Sequence, residues 1–96
     1  MRTVKVKVGQ VWAFPTFESW YQKYSLNSGT ELKYEGYRVV SIQPHRTGYP
    51  ALEPIASAFD IVDVELQHVK ARTVHRVLSG LQWTESGQQK LIEDVP

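Results

Sequence analysis

Apolar residues alternate with lysines at the start of the chain, with Val4, Val6 and Val8 on one side of an extended segment and Lys5 and Lys7 on the other. The pattern runs through Gly9-Gln10 into Val11-Trp12-Ala13-Phe14, so a half-buried strand is predicted from Val4 to Phe14. Gly9 within it marks a bulge or bend, the device by which a strand leaves one sheet to enter another. Lysines on the outer face discourage edge-to-edge pairing. Pro15-Thr16 stops the strand, after which Phe17, Trp20, Tyr21 and Tyr24 recur at helical spacing with Thr16 placed to cap. This predicts a short helix over residues 17–25. A wide hairpin is the alternative, because aromatic residues favour strands where packing permits. Asn27-Ser28-Gly29 ends either element.

Leu32 to Glu35 and Tyr37 to Ile42 read as one long strand interrupted at Gly36 and stopped by Pro44. From Gln43 to Ser57 the chain carries three prolines and Gly48 with little periodicity, a long connection for a compact domain and of the kind that often carries function. Strand character returns over Phe59 to Leu66, where Val62, Val64 and Leu66 alternate with Asp63 and Glu65. Between Val69 and Leu81 two readings compete. Val74, Val77, Leu78 and Leu81 fit a helical face with Ser79-Gly80 as its cap, whereas Thr73-Val74-His75 is β-prone. The preferred form is a strand over residues 70–76 followed by one helical turn. Gln82 to Thr84 and Gln89 to Ile92 flank the turn-forming quartet Glu85-Ser86-Gly87-Gln88, which predicts a closing hairpin or a final strand returning along a barrel. Four β-rich segments and no pair of long helices point to a mainly β fold, a small antiparallel barrel or roll with one short helix after the first strand.

Composition narrows the classes. At 96 residues the chain is one domain, residues 1–96, and 42% hydrophobic content with three Trp, five Tyr and three Phe is enough to form a core. The absence of cysteine excludes a disulfide scaffold, thiolate catalysis and Cys-ligated metal sites, while leaving the redox compartment open. Lysines interrupt the stretch where a signal peptide needs an unbroken apolar run, and nothing approaches the length of a membrane span. A soluble, cytoplasmic protein is the resulting expectation. A net charge of +1 announces no polyanion partner by itself.

Three pieces together resemble the short uncharacterised SH3-like small β-barrel domains of phage and bacterial proteins. Val6 to Trp12 resembles their opening strand, and Tyr37 to Ile42 their second. Lys70 through Thr73, Arg76-Val77-Leu78, Leu81, Thr84 to Gly87 and Leu91-Ile92-Glu93 resemble their closing pattern of basic strand, helical turn, tight turn and last strand. Two segments are longer than a minimal barrel needs: Phe14 to Tyr24 and Gln43 to Ser57. The resemblance implies a fold, and it transfers no catalytic, cofactor-binding or ligand-binding residue.

Chemistry is sparse. The histidines His45, His68 and His75 lack metal-ligand spacing, the glycines build no phosphate loop, and no Ser, His and Asp grouping has the setting of a nucleophile elbow. Asp63 and Glu65 share a strand face and read as solvated. A non-enzymatic protein without metal or cofactor is therefore expected. The aromatic run Phe17, Trp20, Tyr21 and Tyr24, joined by Tyr49 between Gly48 and Pro50, is rich in residues that dominate protein interfaces. Two or three rings of the run beginning at Phe14 are expected to pack on the sheet, leaving the rest exposed. The leading functional expectation is a binding module for another protein or for a second copy. With the phage-type resemblance, a small inhibitor of a host or defence protein is its concrete form.

The alternative is nucleic-acid or nucleotide binding. All ten acids fall within residues 18–35, 53–65 and 85–94, so the intervening stretches are purely basic. If those strands lie side by side, Arg38, Arg46, Lys70, Arg72 and Arg76 form one basic face on which Tyr37, Tyr49 or Trp83 could stack bases, whereas core packing is the competing expectation for Trp12, Trp20 and Trp83.

Overall fold

Gly9 adopts a left-handed φ of +97°, and around it the amide of Gln10 bonds back to the carbonyl of Lys7. The strand expected from Val4 to Phe14 is therefore present only from Val11: residues 4–10 carry no strand, β1 (Arg2–Thr3) precedes them, and β2 (Val11–Pro15) follows in a different sheet. Gln10, fully buried beside the turn, locks it in place. Its Oε1 accepts from the Lys7 amide at 2.8 Å and from Trp12 Nε1 at 3.1 Å, while its Nε2 donates to Asp94 Oδ1 at 2.9 Å. Every polar atom of this buried amide is thus engaged, which is what makes its burial tolerable.

The computed structural model describes residues 2–27, 29–81, 83–85 and 89–96. After β2 come α1 (Phe17–Tyr24), β3 (Tyr34–Pro44), α2 (Glu53–Ala58), β4 (Val62–His68), β5 (His75–Leu81), β6 (Thr84–Glu85) and β7 (Lys90–Glu93). The protein is mainly β. Strands β2 to β5 form an antiparallel meander, β7 joins beside β2, and the sheet order is β5-β4-β3-β2-β7; β1 and β6 make a separate two-stranded ribbon. The five-stranded sheet is not closed on itself, so of the expected barrel or roll the structure keeps an open sheet whose inner face is the one that Val4, Val6 and Trp83, the residues flanking the ribbon, pack against.

Register decides what that inner face carries. Trp12 and Phe14 of β2, Tyr37 and Val39 of β3, and Val64 and Leu66 of β4 share it, and Trp83 beside β6 closes over them as the remaining member of the buried core. Val4 and Val6 pack against this cluster, and Val4 donates its amide to the Trp83 carbonyl at 2.9 Å. The core rings meet edge to face: Trp12 with Trp83 at 4.9 Å, and Phe14 with Tyr37 and with Trp83 at 5.8 Å each.

Several expectations require correction. The helix after Pro15 is present and the hairpin alternative is not. The connection 43–57 is not structureless, because Glu53-Pro54 starts α2 with proline in its first turn. The fourth strand begins at Val62 rather than Phe59. Residues 69–81 hold neither a helix nor a strand followed by a helical turn: Val69 to Val74 make the reversal, and His75–Leu81 is a strand paired with β4. Pairing with β4 overrides the local helical spacing, since it places Leu78 opposite buried Val64 and leaves Val77 65% exposed. Of the expected closing turn Glu85-Ser86-Gly87-Gln88, Glu85 ends β6 and the other three positions lie outside the described residues.

Candidate functional site

Helix α1 is attached to the sheet by polar groups. Thr16 Oγ1 caps the first turn by accepting from the Ser19 amide at 3.3 Å, and Glu18 and Lys23 sit at the ends that the helix dipole favours. Ser19, on the opposite side of the helix from the ring stripe, is its single buried residue. Its hydroxyl accepts from the Lys33 amide at 3.1 Å and from Thr16 Oγ1 at 2.8 Å, and it lies 3.2 Å from the Lys33 carbonyl. With the polar side docked, the apolar side is left uncovered. Phe17 is 76% exposed, Tyr24 52%, Tyr21 44% and Trp20 39%. The rings lie against one another, Phe17 with Tyr21 at 5.9 Å and with Trp20 at 6.3 Å, and Trp20 with Tyr24 at 6.0 Å. The expectation that two or three rings of the run pack on the sheet is corrected: Phe14 does so from β2, and none of the four helix rings is buried.

A cleft of about 430 Å³ lies where this ring surface meets the end of the inner sheet face, walled by Phe17 and Trp20 on one side and by Phe14, Tyr37, Glu35 and Arg76 on the other. Arg76 shares the inner face because it pairs with Leu66, and its guanidinium carbon lies 5.3 Å from the Tyr37 ring centroid and 5.5 Å from that of Phe14. Glu35 pairs with Phe14 and Tyr37 with His68, so both acid and imidazole are brought to this end. His68 Nδ1 accepts from the amides of Lys70 at 3.1 Å and Ala71 at 2.9 Å, so the neutral ring carries its proton on Nε2, 3.6 Å from Glu35 Oε1. Sequence reasoning passed over Glu35 and His68 and offered Tyr37 only as a ring on which bases could stack, a role that its burial removes. Their alternation on β3 and β4 was visible, but their meeting with Phe14 and Arg76 depends on strand order.

The other nominated residues lie elsewhere. Tyr49 is exposed at 68%, held by a loop in which Thr47 Oγ1 accepts from the Tyr49 amide and donates to its carbonyl. That loop follows the Pro44 end of β3, whereas α1 adjoins the Tyr34 end of the same eleven-residue strand. Tyr49 therefore does not join the α1 surface; Leu52, Ile55 and Phe59, which sequence reasoning did not single out, are the exposed apolar residues of its own segment.

The single basic face does not form. Acidic β4 lies between β3 and β5, so that His45 meets Asp63 at 2.9 Å and His75 meets Glu65 at 3.6 Å, while Arg38 pairs with Glu93 at 3.6 Å. Arg38 and Arg72 line a shallow recess with Gln67 and Val69, and Arg76 is on the opposite side of the sheet. Arg46 and Lys70 are exposed in separate loops at the two ends of β4. Trp83, nominated as a stacking platform, is 1% exposed and has no face to offer a base. It lines a cavity of about 340 Å³ with Val4, Val6, Ile42 and Val62, at whose edge stand Thr3, Lys5 and Asp60, and its indole N–H has no hydrogen-bond partner among the described residues.

One carboxyl is clearly perturbed. Asp63 Oδ1 accepts from the Gly80 amide and from His45 Nδ1, each at 2.9 Å, and these bonds, the Gly80 amide foremost, hold its carboxyl below the ordinary value against a smaller opposing effect of burial. Among the described residues no three His, Asp or Glu side chains gather as a metal would require.

No protein-family model, curated protein or solved structure matches the chain. No helix among the described residues is long and apolar enough to cross a membrane.

Proposed function

We propose that the protein is a non-catalytic binding module that holds another protein on the ring-bearing face of α1. The observation that carries this is the exposure of Phe17, Trp20, Tyr21 and Tyr24 on a helix whose attachment to the sheet runs through Ser19 on its other side. The fold makes little use of those rings, and large aromatic side chains left in water as one contiguous surface suit an interface in which they supply most of the affinity. The phage-type resemblance adds a finer form, inhibition of a host or defence protein by occupation of one of its surfaces.

Capture from lysate of the organism's cells, with and without nuclease, tests the proposal when run beside Trp20→Ala and Tyr21→Ala. A protein retained by wild type, indifferent to nuclease and lost from both variants is the expected result. Retention that disappears with nuclease would overturn it in favour of nucleic-acid binding. Concentration-dependent self-association abolished by Trp20→Ala would make the partner a second copy.

A further inference from the structure

Arg76, which lines the inner cleft, differs from Arg38 on the other side of the sheet. It lies over two aromatic rings, at 5.3 and 5.5 Å, and has no carboxylate partner among the described residues, whereas Arg38 is engaged by Glu93 and by the Gly9 carbonyl. A guanidinium resting on rings keeps its planar fork of N–H donors available and already oriented, the arrangement that suits two parallel bonds to one carboxylate. The acid of the same cleft, Glu35, has its Oε1 toward His68 Nε2 on the β4 side. The cleft thus offers a cation with no carboxylate partner among the described residues beside the exposed rings of Phe17 and Trp20.

We infer that the segment received here is an acidic peptide in which one aspartate or glutamate stands next to a large apolar side chain. The carboxylate bonds to Arg76 and the apolar neighbour lies against the exposed rings of Phe17 and Trp20. This rests on the protein-binding proposal above and specifies the partner's chemistry. Glu35 restricts the acid to a single residue, since a second carboxylate beside the first would face a like charge. A nucleic-acid strand fits less well, because a phosphate backbone needs a row of cations, and Arg38 and Arg72, which line one recess together, lie across the sheet.

The test pans a displayed library of random dodecapeptides against wild type, Arg76→Gln, Arg76→Lys and Trp20→Ala, each first shown by thermal denaturation to be folded. Enriched peptides are then synthesised with the acid and with its amide counterpart, and affinities are measured at low and high salt. Wild type should enrich one Asp or Glu beside Trp, Phe or Leu. Replacing that acid by its amide should weaken binding about tenfold or more to wild type and leave binding to Arg76→Gln unchanged, which shows that the two groups are coupled. Arg76→Lys should fall between them and keep the salt dependence. Peptides that need Trp20 but carry no acid, or that bind Arg76→Gln as well as wild type, overturn the inference while leaving the protein-binding proposal standing. Peptides indifferent to Trp20→Ala, or no enrichment, overturn both for this cleft.

Discussion

Two groups of aromatic rings of similar size meet opposite fates in this protein. Trp12, Phe14, Tyr37 and Trp83 are buried and touch edge to face at interplanar angles of 66° to 81°, while Phe17, Trp20, Tyr21 and Tyr24 are exposed and lie at 26° to 51°. Residue type does not separate the groups, since each contains Trp, Phe and Tyr. The backbone does. On β2 and β3 the period of two delivers rings to a face that Val4, Val6 and Trp83 cover, and there the rings settle edge to face. On α1 the helical period gathers four rings in one stripe, but Ser19 docks the other side, so the stripe points away. An aromatic cluster is thus a core or an interface according to which side of its element is tied down.

The sharpest way to break the comparison is to truncate one ring from each group. Trp12→Ala should cost about 3–5 kcal/mol in urea denaturation, the range for emptying a large buried site, with the Gln10 carbonyl losing a donor as well. Trp20→Ala should cost less than about 1 kcal/mol of stability, while lowering partner affinity by about 2 kcal/mol or more. Equal stability losses in the two variants would show that the α1 rings belong to the fold after all.

A smaller effect sharpens the account of how the buried group is covered. Gly9→Ala places a Cβ 3.2 Å from Val95 Cγ1 at a φ that side chains rarely adopt, so it should cost about 1–2 kcal/mol and leave the α1 surface intact. Denaturation paired with partner binding checks both halves, and unchanged stability would mean that the turn into β2 tolerates a side chain. Ser19→Ala should cost about 1 kcal/mol by stranding the Lys33 amide. It should also speed hydrogen exchange in α1 while sparing β2 to β4. Uniformly faster exchange would place α1 within the cooperative core.

The smallest effect lies far from both ring groups. The Asp63 carboxyl is held below its ordinary value of about 3.8, so the stability it contributes is complete above that value and lost as pH falls through the lower folded value. Wild type should exceed Asp63→Asn by less than about 1 kcal/mol at pH 7, since the side chain is partly exposed, and the gap should be smaller at a pH below the ordinary carboxyl value of about 3.8. A gap equal at both pH values would mean that the clasp with Gly80 and His45 needs no charge.

Much of this was legible locally. The Val62, Val64 and Leu66 alternation is strand β4, the Phe17 to Tyr24 spacing with Thr16 ahead of it is α1, and Gly9 is the bend between two sheets. Each follows from neighbours within one element, where period and capping act directly. Exposure of Tyr49 was legible for the same reason, since a ring between Gly48 and Pro50 has no periodic face to join. The mistaken assignment at residues 69–81 arose where two local periods compete and a distant strand settles the matter.

The sequence by itself determined the periodicity of each segment, and with it which side chains share a side. Only the tertiary structure decided what covers each side. Arg76 is eight residues from His68 in the chain and far from Phe14, yet the order β2-β3-β4-β5 brings it over Phe14 and Tyr37, and the same order sets acidic β4 between strands that were expected to unite as a basic face. Period assigns a side chain to a face through local geometry, whereas strand order is chosen by the burial of the whole chain, and that quantity is not carried by any one segment.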